Sequence, residues 1–264
     1  MKIITLTTDF GTKDPYVGIM KGVILSINPD VHIVDITHEI EPANILEAAY
    51  ILKEAYRFFP KGTIHVGVVD PGVGGDRRPI AIKTGGSFFV GPDNGIFWPI
   101  IAQSEVYQVI HLINKEYLLP EISTTFHGRD IFAPVAAYIS RGVDIDDMGA
   151  LVHDPVALEL EKPIFLKDRI IGQVIRKDRF GNLTTNISEQ DIIKQFASKH
   201  GLVVEIGNIN ISCISKAYSD VGAGELLALI GSSGFLEISA NMARASDIIG
   251  KQWKKLRVQV KKVA

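Results

Sequence analysis

The stretch VGVVDPGVGGDRR, residues 66–78, joins an apolar run to an aspartate, a turn-like segment with three glycines, and two arginines. A continuous apolar run bounded by turn residues is typical of a strand that is covered on both faces. Asp70 should therefore lie at the carboxyl end of a buried strand. Ligands bind at this edge in open α/β sheets, so the stretch predicts both the sheet and the place of a site.

The first 150 residues on both sides of this stretch alternate between strand-like and helix-like segments. One helix is expected to open at Asp14–Pro15, and another at Asn44, where Glu47 three residues later completes an N-capping pattern. This order predicts an α/β N-terminal domain with a mainly parallel sheet. Strands are expected at 3–9, 31–37, 63–70, 79–84, 87–95 and 105–112, and a further helix at 129–140.

The pattern changes after VHDPVALELEKP, residues 152–163, where prolines flank a linker-like segment. Beyond it, short strand-like segments alternate with turn residues at Gly181–Asn182, Gly207–Asn208 and 232–234. This predicts a smaller all-β, barrel-like C-terminal domain. We expect the N-terminal domain at 1–153, the linker at 154–166 and the C-terminal domain at 167–264.

Composition excludes several classes of protein. The 264 residues include 28 Lys and Arg against 30 Asp and Glu, a net charge of −2 without basic blocks, which argues against nucleic acid as a partner. A single cysteine, Cys213, forms neither an internal disulfide nor a cysteine metal cage. No signal-like segment or apolar run of roughly 20 residues is present, so we expect a cytoplasmic protein without a membrane partner.

Several polar residues of the first domain occupy positions suited to chemistry. Asp9 ends a strand, where a carboxylate accepts hydrogen bonds from a ribose diol; a turn or capping role is the alternative, and Asp14 before Pro15 suits a helix N-cap. Of the adjacent Arg77 and Arg78, at least one suits an anion or water site, with a solvated surface position as the alternative.

His127 precedes a predicted helix. A helix N-terminus disfavours a protonated ring, so the imidazole should be neutral and available as a base, with helix capping as the alternative. Arg129 and Asp130 beside it suit a simple ion pair.

The second domain offers weaker signals. An aromatic ring beside an amide, Phe180 and Asn182, suits an adenine, although turn chemistry explains these residues, Asp178 and Ser232 equally well. Asp9, Asp70, Asp93 and His127 are conceivable metal ligands, but no recognised metal-ligand spacing occurs, so no metal is expected.

Six motifs occur in order and together resemble the S-adenosylmethionine hydroxide adenosyltransferase family, the hydrolytic relatives of the fluorinase and chlorinase enzymes. The resemblance extends from residue 4 to about residue 245. The motifs are TLTTDFG (5–11), GVVDPGVGGDRR (67–78), GPDNG (91–95), STTFHGRDIF (123–132), RFGNLTTN (179–186) and SANMA (239–243).

The resemblance implies a catalytic triad of Asp70, Arg77 and His127. It also implies a homotrimer, with the S-adenosylmethionine site between one subunit's N-terminal domain and its neighbour's C-terminal domain. The implied substrate contacts are Asp9 for the ribose, Asp14 and Asp178 for the methionine ammonium, Ser232 for the carboxylate, and Asn182 with the backbone of Met242 for the adenine. Tyr16 and Ser233 depart from the fluorinase pattern at the methionine end.

The implied reaction is hydrolysis of S-adenosylmethionine, as substrate rather than cofactor, to adenosine and methionine. Water attacks C5′, and the sulfonium leaves as a neutral thioether without needing an acid. Asp70 orients the imidazole or the water, His127 receives the proton, and Arg77 stabilises hydroxide character. The alternatives are a chlorinase, a non-catalytic S-adenosylmethionine or adenosine sensor, and a metal-dependent nucleotide hydrolase.

Overall fold

The computed structural model describes residues 2–262. The chain divides into two compact units between Glu159 and Leu160. Among residues 2–262, no helix combines the length and the apolar composition that a membrane crossing requires.

Unit 1 contains a seven-stranded mixed sheet with the strand order β2-β1-β3-β5-β4-β6-β7. Pairs β1/β2, β1/β3 and β3/β5 are parallel, whereas β4/β5, β4/β6 and β6/β7 are antiparallel. The strands are β1 (Ile3–Thr8), β2 (His32–Thr37), β3 (Ile64–Val68), β4 (Pro79–Thr84), β5 (Ser87–Pro92), β6 (Tyr107–Leu112) and β7 (Gly149–Leu151).

The prediction of a mainly parallel sheet is therefore wrong. The physical reason is the connection between β4 and β5, which consists of Gly85 and Gly86 with φ of 58° and 82°. Two successive positive φ values define the type I′ turn of a β-hairpin, and a hairpin reverses the chain. A parallel pair would need a crossover of a dozen or more residues at this point.

The helices of unit 1 are α1 (Tyr16–Ile27), α2 (Ile45–Ala55), α3 (Trp98–Ile101) and α4 (Ala133–Ser140). The capping prediction for α2 is confirmed: the Asn44 side chain accepts a hydrogen bond from the Glu47 amide at 3.1 Å. The capping prediction for Asp14 is wrong, since Pro15 occupies the N-cap of α1 without a side-chain cap. A π-helical turn, Gly128–Phe132, precedes α4.

The two faces of the sheet pack against different helices. One apolar cluster joins β1 and β3 to α1 and α4, and a second joins β4 and β5 to α2 and α3. Every residue of β3 is buried, which confirms that the apolar run before Asp70 forms a strand covered on both faces.

Single 3₁₀ turns occur at Tyr56–Phe58, Lys115–Tyr117, Ile145–Met148, Tyr218–Asp220 and Lys251–Lys255.

His65 on β3 is a titratable residue within this core. It is 1% exposed, forms a 2.8 Å hydrogen bond to Thr5 Oγ1 through Nδ1, and stacks on Phe89 with ring centroids 5.1 Å apart. Burial disfavours the charged ring and lowers the pKa of His65 to about 4. The folded protein thus keeps His65 neutral where an unfolded chain would protonate it.

We expect stability to fall in acid because of His65. The unfolded chain binds a proton below its pKa of 6.5, whereas the folded chain resists until about pH 4. The contribution of the neutral His65 ring to the free energy of unfolding is complete above pH 6.5. It is lost as the pH falls, so that the free energy of unfolding decreases by about 2 kcal/mol between pH 7.5 and pH 5. Urea unfolding at the two pH values measures this loss. A His65→Gln variant should lose less over the same interval, and equal losses in both proteins would contradict the assignment.

Unit 2 contains a nine-stranded, nearly closed barrel-like sheet. The main strand order is β12-β11-β16-β9-β10-β15-β14-β13, with β8 paired to β9; all pairs are antiparallel except β13/β14. The strands are β8 (Ile164–Phe165), β9 (Arg169–Lys177), β10 (Leu183–Ser188), β11 (Leu202–Ile206), β12 (Ile209–Ile211), β13 (Ile214–Ser215), β14 (Leu226–Ile230), β15 (Phe235–Ala240) and β16 (Arg257–Lys262).

Unit 2 also contains two helices, α5 (Glu189–Phe196) and α6 (Ala245–Ile249), which the all-β prediction lacks. A capping box opens α5: Ser188 Oγ accepts from the Asp191 amide at 3.1 Å, and Asp191 Oδ2 accepts from the Ser188 amide at 2.9 Å. Ile192 and Phe196 bury the apolar side of the helix.

Candidate active site

Asp70, Arg77 and His127 form one hydrogen-bonded cluster. Arg77 Nε donates to Asp70 Oδ1 and Oδ2 at 3.0 and 2.9 Å, and Nη2 donates to Oδ2 at 2.5 Å. The same Nη2 lies 2.6 Å from His127 Nδ1. The carboxylate and guanidinium are only 4% and 10% exposed. The loop between β3 and β4 therefore brings Asp70, at its start, into contact with Arg77, near its end. Arg77 also joins this loop to His127 in the loop before α4.

The contact with Arg77 defines which ring nitrogen of His127 carries the proton. A guanidinium has donors and no acceptor, so Nδ1 of His127 accepts and the ring proton lies on Nε2. Burial and the neighbouring charge of Arg77 lower the pKa of His127, against smaller opposing effects of Asp70 and Asp130. A lowered pKa favours the neutral ring that the sequence predicts, and its largest causes are burial and the charge of Arg77.

Asp70 and His127 face a cavity of about 270 Å³ in unit 1, which is also lined by Asp9, Phe10, Phe126 and Gly128. Arg77 bridges the two polar residues without contributing to the lining. Its Nη1 is buried, and no described residue accepts a hydrogen bond from it. The cavity wall thus combines a carboxylate and an imidazole that share one guanidinium behind them.

Asp9 lies directly after β1 on the same cavity. Its Oδ2 accepts a hydrogen bond from the Ala43 amide at 2.9 Å. Ala43 has a φ of 63°, in the left-handed region, so Asp9 stabilises an unusual turn in the segment before α2. The described residues provide Oδ1 with no donor, which leaves this oxygen for a ligand.

Three aromatic rings pack together beside the cavity. Phe10 lies 5.8 Å from Tyr16 and 5.9 Å from Phe126, and Tyr16 lies 5.2 Å from Phe126, measured between ring centroids. Phe10 and Phe126 line the cavity, whereas Tyr16 is 45% exposed. Tyr16, which departs from the fluorinase pattern, therefore supports the two lining rings.

Asp130 holds the loop that carries His127. It is fully buried and accepts hydrogen bonds at Oδ2 from Ser123 N and Ser123 Oγ at 2.8 and 2.7 Å. Ser123 Oγ in turn accepts from the Phe126 amide at 3.0 Å. The expected pairing with Arg129 is present at 2.5 Å. The sequence indicated the ion pair but not the attachment of the loop.

A second cavity, about 520 Å³, lies in unit 2 and is lined by Phe180, Asn182 and Met242 together with Tyr218 and two arginines. Phe180 is 73% and Met242 91% exposed, so both side chains are open to solvent in the single chain. Met242 has a φ of 55°. The structure therefore brings together the three residues that were assigned to adenine.

The structure does not gather the residues assigned to the methionine end around either cavity. Asp178 accepts from the backbone amide and Nδ2 of Asn182 at 2.8 and 2.9 Å, which is the turn role given as the alternative. Ser232 is exposed in the turn between β14 and β15, and Asp14 is exposed before α1. None of the three lines the 270 Å³ or the 520 Å³ cavity. Across residues 2–262, no three His, Cys, Asp or Glu side chains come together as metal ligands would.

Two family models match the chain, one over most of unit 1 and one over most of unit 2. The model of the SAM hydroxide adenosyltransferase N-terminal domain matches residues 4–149, and that of the C-terminal domain matches residues 172–256. The chain belongs to this family.

Similar proteins cover nearly the whole chain. It is 38% identical to the (R)-S-adenosyl-L-methionine hydrolase of Methanocaldococcus jannaschii, over 94% of this chain and 92% of that protein. It is 33% identical to the (R)-S-adenosyl-L-methionine hydrolase of Salinispora tropica, over 94% and 93%. The crystal structure of an uncharacterized conserved protein from Thermotoga maritima has a TM-score of 0.90 and 36% identity, over 99% and 100% of the two chains.

Proposed function

We propose that this protein hydrolyses (R)-S-adenosyl-L-methionine to adenosine and L-methionine. The observation that carries the proposal is the Asp70–Arg77–His127 cluster on the cavity of unit 1, in a chain similar to two hydrolases of this substrate. The substrate needs attack at C5′ and departure of a neutral thioether, so no general acid is required. A site with a carboxylate, a fixed positive charge and a neutral imidazole suits attack of water at C5′ without a general acid.

Asp70 accepts a hydrogen bond from the attacking water in this proposal, and Arg77 places positive charge beside the developing hydroxide. His127 holds Arg77 through Nδ1, which is therefore not free to take a proton. This changes the expected base from His127 to Asp70. A carboxylate suffices, because the attacking oxygen becomes strongly acidic as its bond to C5′ forms.

We assign the ribose to Asp9, whose Oδ1 has no donor among the described residues, and the adenine to Phe180, Asn182 and the backbone of Met242. The methionine contacts of Asp14, Asp178 and Ser232 stay predictions. The proposal includes no cofactor, no metal and a cytoplasmic location, in keeping with the single cysteine.

Product analysis tests the proposed reaction. We expect adenosine and methionine in equal amounts from S-adenosyl-L-methionine, with no chloride requirement. Chloride-dependent 5′-chloro-5′-deoxyadenosine would instead indicate a chlorinase. Tight binding of S-adenosyl-L-methionine without either product would indicate a sensor.

We further propose a homotrimer in which each site combines unit 1 of one subunit with unit 2 of its neighbour. The cavity of unit 1, about 270 Å³, lies below the range of about 300–1,000 Å³ that is usual for ligand sites, and the adenine residues belong to unit 2. A substrate of this size would need both sets of residues.

Mixed trimers test the shared site. A His127→Ala protein and an Asn182→Ala protein are each expected to be nearly inactive. After denaturation and joint refolding at equal amounts, random assembly gives about a quarter of the sites two intact halves, so about a quarter of wild-type activity should return. No recovery, in trimers shown by mass to be mixed, would contradict a shared site.

A further inference from the structure

The segment GPDNG, residues 91–95, lies against both ends of the loop that carries Asp70 and Arg77. At the start of the loop, Asn94 Nδ2 donates a hydrogen bond to the carbonyl oxygen of Val69 at 2.9 Å. At its end, the Asp93 amide donates to the carbonyl oxygen of Arg78 at 2.9 Å. One short segment at the end of β5 thus contacts the residues that flank the loop on either side.

Asp93 also binds the side chain of Arg78. Its Oδ2 accepts from Arg78 Nε at 2.8 Å and lies 2.7 Å from Nη2, and its Oδ1 accepts from the Val156 amide at 2.8 Å. The Asp93 side chain is 2% exposed. Arg78 makes a second ion pair, at 2.8 Å, with Asp154, which is 83% exposed. Arg78 is therefore held by a buried carboxylate. It does not occupy the solvated surface position that the sequence analysis gave as an alternative.

Anchors are needed here because the loop has little stiffness of its own. Residues 71–76 are PGVGGD, and Gly74 adopts a φ of 76°. Glycine allows many backbone conformations. The loop's own backbone hydrogen bonds, from Val73 N to Asp70 O at 3.2 Å and from Gly75 N to Gly72 O at 3.1 Å, each span three residues and do not link Asp70 to Arg77. Arg77, however, must place one nitrogen 2.5 Å from Asp70 and 2.6 Å from His127 at the same time.

We propose that Asp93 and Asn94 are positioning residues for hydrolysis: they fix the two ends of the 70–78 loop and thereby hold the guanidinium of Arg77 between Asp70 and His127. Asn94 sets the position of Asp70 through the preceding carbonyl group. Asp93 sets the position of Arg77 through the following residue. The catalytic part of this inference rests on the proposed function, and the placement of Arg77 does not.

Two variants and one control test the inference. Asp93→Asn removes the charge opposite Arg78. Asn94→Ala removes the hydrogen bond to Val69, and it tests the inference on its own if the Asp93→Asn protein does not fold. Asp168→Asn is the matched control, since it removes the same charge from a surface pair with Arg169 that lies 2.8 Å apart. For each protein, kcat, KM, the melting temperature and the titration of His127 by ring-carbon NMR are measured, with His127→Ala used to assign the signal.

We expect kcat to fall about 10- to 100-fold in the two variants, with KM within about threefold, because a small displacement of the catalytic groups impairs the transition state most. The pKa of His127 should rise toward its ordinary value as Arg77 moves away, since the Arg77 charge lowers it while Asp70 and Asp130 act in the opposite direction. The control should match the wild type in kcat and in titration.

An unchanged kcat together with an unchanged His127 titration would overturn the inference, even if the melting temperature falls. A fall in kcat without a change in the titration would also overturn it, because Arg77 would then still lie beside His127. If the wild-type protein releases no adenosine, the proposed function fails, while the titration needs no substrate and still decides whether Asp93 and Asn94 place Arg77.

Discussion

Arg77→Lys is expected to lower kcat for S-adenosyl-L-methionine by about 10²-fold, because Asp70 and His127 lose the group that holds them in position. Lysine keeps the positive charge but lacks the planar fork. A single ammonium cannot reproduce the contacts of Nε and Nη2 with Asp70 while also reaching His127 Nδ1. KM should change little, because Arg77 does not line the cavity.

Arg169→Lys is the matched control for this variant. Arg169 forms an ion pair with Asp168 at 2.8 Å, but its side chain is 37% exposed and it belongs to unit 2. Its replacement should leave kcat unchanged. An Arg77→Lys enzyme with kcat within about threefold of the wild type would show that charge alone suffices and that the bridging geometry is unnecessary.

Gly74→Ala is expected to lower kcat by about 10²-fold or more and to lower the melting temperature. A Cβ atom at this position would lie 2.1 Å from the carbonyl oxygen of Thr124, in the loop that carries His127. One of the two loops must therefore move by about 1 Å, a displacement that costs about 10² in rate. The φ of 76° adds the strain of an L-residue in the left-handed region.

Gly142→Ala separates the clash from the strain. Gly142 has a φ of 95°, and a Cβ there meets no atom within 4 Å. This variant should lose about 1 kcal/mol or more of stability through strain and keep its kcat. If the Gly74 and Gly142 variants have the same kcat, the contact between the two loops does not control the site.

The elements that the sequence predicts well are those with strong local signals. The buried strand β3 follows from its apolar run, and helix α2 from the spacing of Asn44 and Glu47. The mixed sheet does not follow from the order of strand-like and helix-like segments, because strand direction depends on the connections and the two glycines between β4 and β5 form a hairpin turn. Helix α5 was missed although Ser188 and Asp191 have capping-box spacing.

The site shows the same division. Asp9 and Asp70 follow strands, as predicted, and the structure shows that both line one cavity. The order of contacts in the cluster, with Arg77 between the other two residues, depends on side-chain directions that sequence spacing does not contain. Asn94 was missed because its partner is a backbone carbonyl 25 positions away, and backbone groups leave no trace in a motif.

The most direct test of hydrolysis at C5′ is incubation of metal-stripped protein with S-adenosyl-L-methionine in ¹⁸O-enriched water, followed by mass spectrometry of the products. The account predicts adenosine that carries ¹⁸O at its 5′ oxygen, together with an equal amount of methionine. Adenosine without the label, or intact S-adenosyl-L-methionine bound to the protein, would contradict attack of water at C5′.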